Sequence, residues 1–150
     1  MSELRDLYQE VILDHGKRPR NHGPLSDANC SAEGHNPLCG DHLQVFVKTE
    51  DGKVVDARFE GSGCAISVAS ASMMTQAIVG KPIEEAHHIA KQFHSMVAGE
   101  SDESGDSSEL GKLVVFGGVR EFPMRVKCAT LPWHTLRAAL DRAREPVTTE

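Results

Sequence analysis

The chain has 150 residues, 39% of them hydrophobic and 25% charged, which suits one soluble domain over residues 1–150 with a real core. A net charge of −6, with one Tyr and one Trp, argues against a nucleic-acid platform, and no apolar run approaches the roughly 20 residues of a membrane span. The opening Met1-Ser2-Glu3-Leu4-Arg5-Asp6 carries acids and no apolar h-region, so the chain reads as cytoplasmic, with its thiols reduced.

Ser2 can cap a first helix whose apolar face is Leu4, Leu7, Tyr8, Val11 and Ile12. Gly16 and Pro19 end it, and His15 reads as a cap in its last turn, where a cation favours the dipole, with a role in partner docking as the alternative. Residues 17–24 read as a loop. A strand around Asn29 to Glu33 is weakly signalled. Leu43, Val45 and Val47 alternate, Asp51-Gly52 marks a tight turn, and Val55, Ala57 and Phe59 alternate on the return. Gly61-Ser62-Gly63 breaks the sheet. The small, apolar run from Ala65 to Val79 predicts a well-buried helix, with Met73 and Met74 as core filler. Pro82 opens the next helix, with Ile83, Ala86, Ile89, Ala90, Phe93 and Val97 inward and His87 and His88 solvated.

Glu100 to Glu109 is polar and acidic, a surface loop by composition. A short helix or turn is expected from Leu110 to Phe116. Pro123 starts a turn carrying Cys128, and Pro132 starts the last helix, with Trp133, Leu136, Ala139, Leu140 and Ala143 inward. Glu145 to Glu150 is expected to fray. Grouped strands followed by grouped helices indicate an α+β fold: a small antiparallel sheet of about three strands with helices packed on one face.

The chemistry lies in the cysteines. Cys39 and Asp41, two apart on an extended chain, point the same way and can share a ligand sphere, with Gly40 as a joint between them. Cys64 opens a helix, where the N-terminal field favours thiolate. Cys128 follows Arg125 and Lys127, cations that favour thiolate too. Three thiolates and one carboxylate match four-coordinate zinc and also the iron edge of a small cluster. The site is then net negative, which makes Arg125 and Lys127 sensible counter-charges near the ligands. Spacing alone fits buried, inert cysteines equally well, and Cys30 reads simply as a small core residue.

A resemblance separates these readings. Leu7-Tyr8, Val11-Ile12, Asp14-His15, Pro19-Arg20-Asn21, Asn36 through Asp41, Phe59 through Ser67 and Phe122 through Trp133 resemble the iron–sulfur cluster assembly family of IscU and SufU, the NifU-like N-terminal group. The likeness runs from about Leu4 to Leu140. It implies a compact SufE/IscU-like α+β fold, the ligand set Cys39, Asp41, Cys64 and Cys128, and a cysteine desulfurase as partner. Lys127 stands where IscU-like proteins carry a His, and the acidic insertion between Cys64 and Cys128 resembles SufU. The SufU branch implies bound zinc and, at most, a sulfurtransferase activity, with Cys39 taking persulfide sulfur from a SufS-like desulfurase. The alternative is a scaffold that assembles a [2Fe-2S] cluster on the same ligands and hands it to acceptor proteins. A zinc deaminase is disfavoured, because the H-x-E and P-C-x-x-C pair is absent and four protein ligands close the site. A purely structural zinc site would not explain ligands at loop and helix ends beside Arg125.

Overall fold

The computed structural model describes residues 2–36, 40–98, 113, 115–116, 122–141 and 147–148. Its centre is a hairpin. Strand β2, Asp41–Glu50, turns through Asp51 and Gly52 into β3, Lys53–Ser62. Both turn residues have positive φ, 53° and 76°, the twist that matches two antiparallel strands. Leu43, Val45 and Val47 are fully buried, as their alternation requires.

The return strand departs from the expected phase. Val54 is buried and Val55 is 40% exposed, while Ala57 and Phe59 keep their inward places. Lys48 pairs with Asp56 and Thr49 with Val54, so Val55 is an extra residue on β3. That bulge flips the alternation at one point, which a strict period of two cannot reveal.

Strand β1, Cys30–Asn36, pairs antiparallel with β2 along its whole length and extends beyond the weakly signalled segment. Val147–Thr148, expected to fray, instead forms β4, parallel to Gly34 and His35. The sheet order is β3-β2-β1-β4.

The helices are α1, Ser2–Lys17; α2, Ala65–Ile78; α3, Ile83–Ala98; and α4, Pro123–Leu140. Helix α4 packs on β1 and β2, α2 lies between α1 and α4, and α3 packs against α4. Phe93 stacks on Trp133 with centroids 4.8 Å apart, and Phe116 meets Phe93 edge-on at 5.6 Å. Leu113, Val115 and Phe116 are buried. The acidic stretch Glu100–Glu109 lies outside the described residues.

Two further expectations are corrected. Pro132 does not start a helix but sits inside one, so Cys128 lies on helix rather than on a turn. An internal proline costs about 3 kcal/mol, because it has no N–H for the carbonyl four residues back. Burying Leu131, Trp133 and Leu136 is worth about 1.5–3 kcal/mol each and outweighs that cost. The Ser70 hydroxyl adds support: it donates to the Ala129 carbonyl at 2.6 Å and accepts from Trp133 Nε1 at 3.1 Å. His15 keeps its place in the last turn of α1 but turns inward onto α2. It is only 6% exposed, with Nδ1 2.7 Å from Ser72 Oγ on α2. Ser72 also accepts from the Arg20 N–H, and Asn21 Nδ2 donates to Thr75 Oγ1. The Asp14-His15 and Pro19-Arg20-Asn21 segments thus bind the first helix and its loop to α2.

Candidate metal centre

Three elements converge on one point. Asp41 opens β2 directly opposite Asn36, the last residue of β1, and its side chain is fully buried. Gly40, just before it, has φ +73°, a backbone that glycine adopts without strain. Cys64 is the N-cap of α2, with its Sγ accepting from the Ser67 N–H at 3.5 Å. Cys128, 2% exposed, lies in the second turn of α4.

The thiol sulfurs of Cys64 and Cys128 and a carboxylate oxygen of Asp41 all lie within 4.8 Å of one another. Donors sharing one tetrahedral zinc stand about 3.5 Å apart, so these three need close in by only about an ångström. The Cys64 N–H donates to Asp41 Oδ1 at 2.8 Å, while Asp41 Oδ2 is buried without a hydrogen-bond partner. A buried polar oxygen left unsatisfied costs about 1–3 kcal/mol, and a cation is one remedy. Two sulfurs and one oxygen are donors that zinc accepts, so the residues fit the ion.

The electrostatics agree. The Cys64 thiol is pushed down to about 6, chiefly by its hydrogen bond with Cys128. The Ser67 and Ile66 backbone groups help, while burial and the Asp41 charge oppose. Cys64 is therefore a thiolate at neutral pH, ready to ligate.

Three residues escaped the sequence reading. Asn36 is fully buried, and its Nδ2 donates to Cys128 Sγ at 3.8 Å. A Cβ on Gly63 would lie 2.7 Å from Asp41 Oδ1, so only glycine leaves room for the carboxylate. Ser67 Oγ is buried without a partner one turn from Cys64. All three stand in stretches that carry the family likeness, but nothing in their spacing gave them a role.

Of the expected ligands, Asp41, Cys64 and Cys128 come together, and Cys39 lies outside the described residues. Arg125 is one turn before Cys128 on α4 and exposed, with its guanidinium carbon 4.9 Å from the Phe122 ring centroid. Cys30 is buried at the far end of β1, opposite Val47, as a core residue. His88 is exposed, and half-buried His87 lies 3.5 Å from Asp141.

The NifU-like N terminal domain family matches residues 7–129. The chain belongs to this family. It is 49% identical over 135 residues to the zinc-dependent sulfurtransferase SufU of Bacillus subtilis, covering 90% of each chain. It is 43% identical over 143 residues to the iron–sulfur cluster assembly scaffold protein IscU of Streptococcus pyogenes, covering 95% of this chain and 88% of that one. A crystal structure from Fervidobacterium islandicum, of a candidate cluster assembly scaffold for the SUF system, superposes with a TM-score of 0.82 at 40% identity, covering 87% and 94%. The family is thus one of iron–sulfur cluster assembly, and the α+β fold is that of its IscU and SufU members. Among the described residues no helix is long and apolar enough to cross a membrane.

Proposed function

We propose that this family member is a zinc-binding sulfur acceptor in iron–sulfur cluster assembly, working with a SufS-like cysteine desulfurase. The observation that carries the reading is the buried Asp41 carboxylate, half satisfied by the Cys64 N–H and gathered with two thiols. The likeness to a relative named as a zinc-dependent sulfurtransferase supports it.

Asp41, Cys64 and Cys128 would hold the ion, with Cys39, two residues before Asp41 in the chain, as the fourth ligand. Zinc, when bound, neutralises the clustered thiolates and keeps them from oxidation. Cys64 is fixed by its cap on α2 and Cys128 by α4, so both anchor the site. Cys39 is the acceptor. Its thiolate attacks the outer sulfur of the desulfurase persulfide; the new S–S bond forms on Cys39, and the desulfurase cysteine leaves as thiolate. The Asn36 amide steadies Cys128 Sγ during the exchange. Arg125 and exposed Phe122 and Met124, at the start of α4, supply a cationic and apolar rim for a partner. A downstream assembly protein would then take the sulfur.

A second reading has support from the scaffold named among the relatives. There the same ligands assemble a [2Fe-2S] cluster as cargo and pass it on. Mass spectrometry of the alkylated protein after a brief reaction with desulfurase and cysteine tests the first. Extra sulfur is expected on Cys39, and Cys39→Ala should abolish stimulation of the desulfurase. Label on Cys128 with Cys39 unmodified overturns the assignment, and a brown, iron- and sulfide-bearing protein favours the scaffold.

A further inference from the structure

The outer face of the sheet, away from α4, carries a pair of side chains that the thiolate site does not use. His35 and His42 are directly opposite each other on β1 and β2, and both are exposed. Their rings stand with centroids 5.9 Å apart at an interplanar angle of 84°. Each is the sequence neighbour of a buried residue at the thiolate site: His35 precedes Asn36 and His42 follows Asp41. Side chains alternate across a strand, so the imidazoles and the thiolate site occupy opposite faces of the same sheet end.

We propose that His35 and His42 form a second, labile site for a borderline divalent cation of the zinc class. Imidazole nitrogen is a ligand that such ions favour. A nitrogen about 2.0–2.1 Å from the ion puts its ring centre about 3.2 Å away, so two rings sharing an ion have centres about 4.5–6.4 Å apart. The observed 5.9 Å lies inside that range, and rotation about the two side-chain torsions can complete the approach without moving backbone. The ladder holds the pair in place: β1 and β2 stay in register from Cys30↔Val47 to Asn36↔Asp41. Few degrees of freedom then remain to be lost on binding.

The neighbouring groups suit a cation. Glu33 lies two residues before His35 on the same face, and Glu60 on β3 pairs with Gln44, which is in turn opposite Glu33. Ser62 is opposite His42. Carboxylates one row away raise the local cation concentration and can reach in as a third ligand. With two imidazoles and water completing its sphere, the ion exchanges freely, in contrast to one held by buried thiolates. The inference is independent of which cysteine accepts sulfur and of whether the thiolate site carries zinc or a cluster.

The test is equilibrium dialysis of the full chain, its thiolate site saturated with zinc, against further zinc. One additional, weaker ion per chain is expected. His35→Gln or His42→Gln should each weaken it on the order of a hundredfold, because the second imidazole binds as an intramolecular ligand. The double change should remove it and leave the tight ion in place. Imidazole NMR of the unaltered protein gives a second readout, with the His35 and His42 resonances moving together as the weak site fills. Undiminished weak binding in the double variant, or shifts confined to other histidines, overturns the proposal, as does the absence of any second ion.

Discussion

The backbone N–H of Cys64 donates to Oδ1 of Asp41 at 2.8 Å, joining the first residue of β2 to the N-cap of α2. This bond fixes one carboxylate oxygen and leaves the other buried without a hydrogen-bond partner. Between the two residues in space stands Gly63, whose missing side chain is the gap that the carboxylate fills.

Gly63→Ala tests that gap directly. Its new methyl would lie 2.7 Å from Asp41 Oδ1 and force the carboxylate aside. Overpacking of this kind costs about 1–3 kcal/mol. Moving the carboxylate off the Cys64 N–H should also lower zinc affinity about ten- to hundredfold while the fold persists. Competition with a chromophoric chelator measures it. Unchanged affinity would show that Asp41 does not hold the ion.

Removing the metal should destabilise the protein. Without a cation, Asp41, Cys64 and Cys128 bring negative charge within 4.8 Å of one another in a largely buried site. Stability should fall by several kcal/mol, which for a chain of this size lowers the melting temperature by roughly 10 °C. Added zinc should restore it. An identical melting curve after verified metal removal would contradict the site.

Much of this centre was legible, and the failures have physical causes. That Cys64 opens a helix followed from the local pattern, whereas Asp41, expected just before a strand, is its first residue, and β3 runs on through Gly61 to Ser62, past the expected break. The local pattern does not place Cys128 on a helix, because Pro132 signals a helix start and the Ser70 and Trp133 hydrogen bonds that hold the helix together around it are tertiary. Strand β1 was faint because its inward residues Ala32 and Gly34 are small, and their partners become visible only when β2 and α4 are in place. The Val55 bulge and the parallel pairing of Val147 and Thr148 depend on neighbours that no local pattern encodes. His15 looked like a cap by position, but the Ser72 hydroxyl that receives it is 57 residues away.

The Cys64 thiol gives a pH prediction for the metal-free protein. Its folded value of about 6 lies below the ordinary thiol value of 9.0, mainly because of Cys128. A depressed value means that the thiolate stabilises the fold above the unfolded value. That contribution shrinks as pH falls from about 9 and is lost below about 6. Alkylation of Cys64 by iodoacetamide should follow a titration centred near pH 6. Cys128→Ala removes the principal donor and should move the midpoint upward. A midpoint near the ordinary thiol value in both proteins would refute the coupling.

The packing of α4 on β1 places Cys128 beside Asn36, and Gly34 controls it. A Cβ at Gly34 would collide with Thr135 Oγ1 and come 3.0 Å from Leu131 Cδ1. Thr135 cannot easily yield, because it is fully buried and its hydroxyl donates to the Leu131 carbonyl at 2.7 Å. Gly34→Ala should therefore lift the helix from the strand and cost about 2 kcal/mol. Thr135→Ala removes the colliding oxygen, so in the double variant much of that cost should disappear. A double-mutant cycle in urea measures the coupling, expected at about 1–3 kcal/mol with the sign of mutual relief. Because Asn36 is two residues from Gly34 and Cys128 is seven from Thr135, the single Gly34→Ala variant should also hold zinc less tightly, and the second change should recover it. Additive stability losses with no recovery of zinc binding would mean that the Gly34–Thr135 contact does not set the position of Cys128.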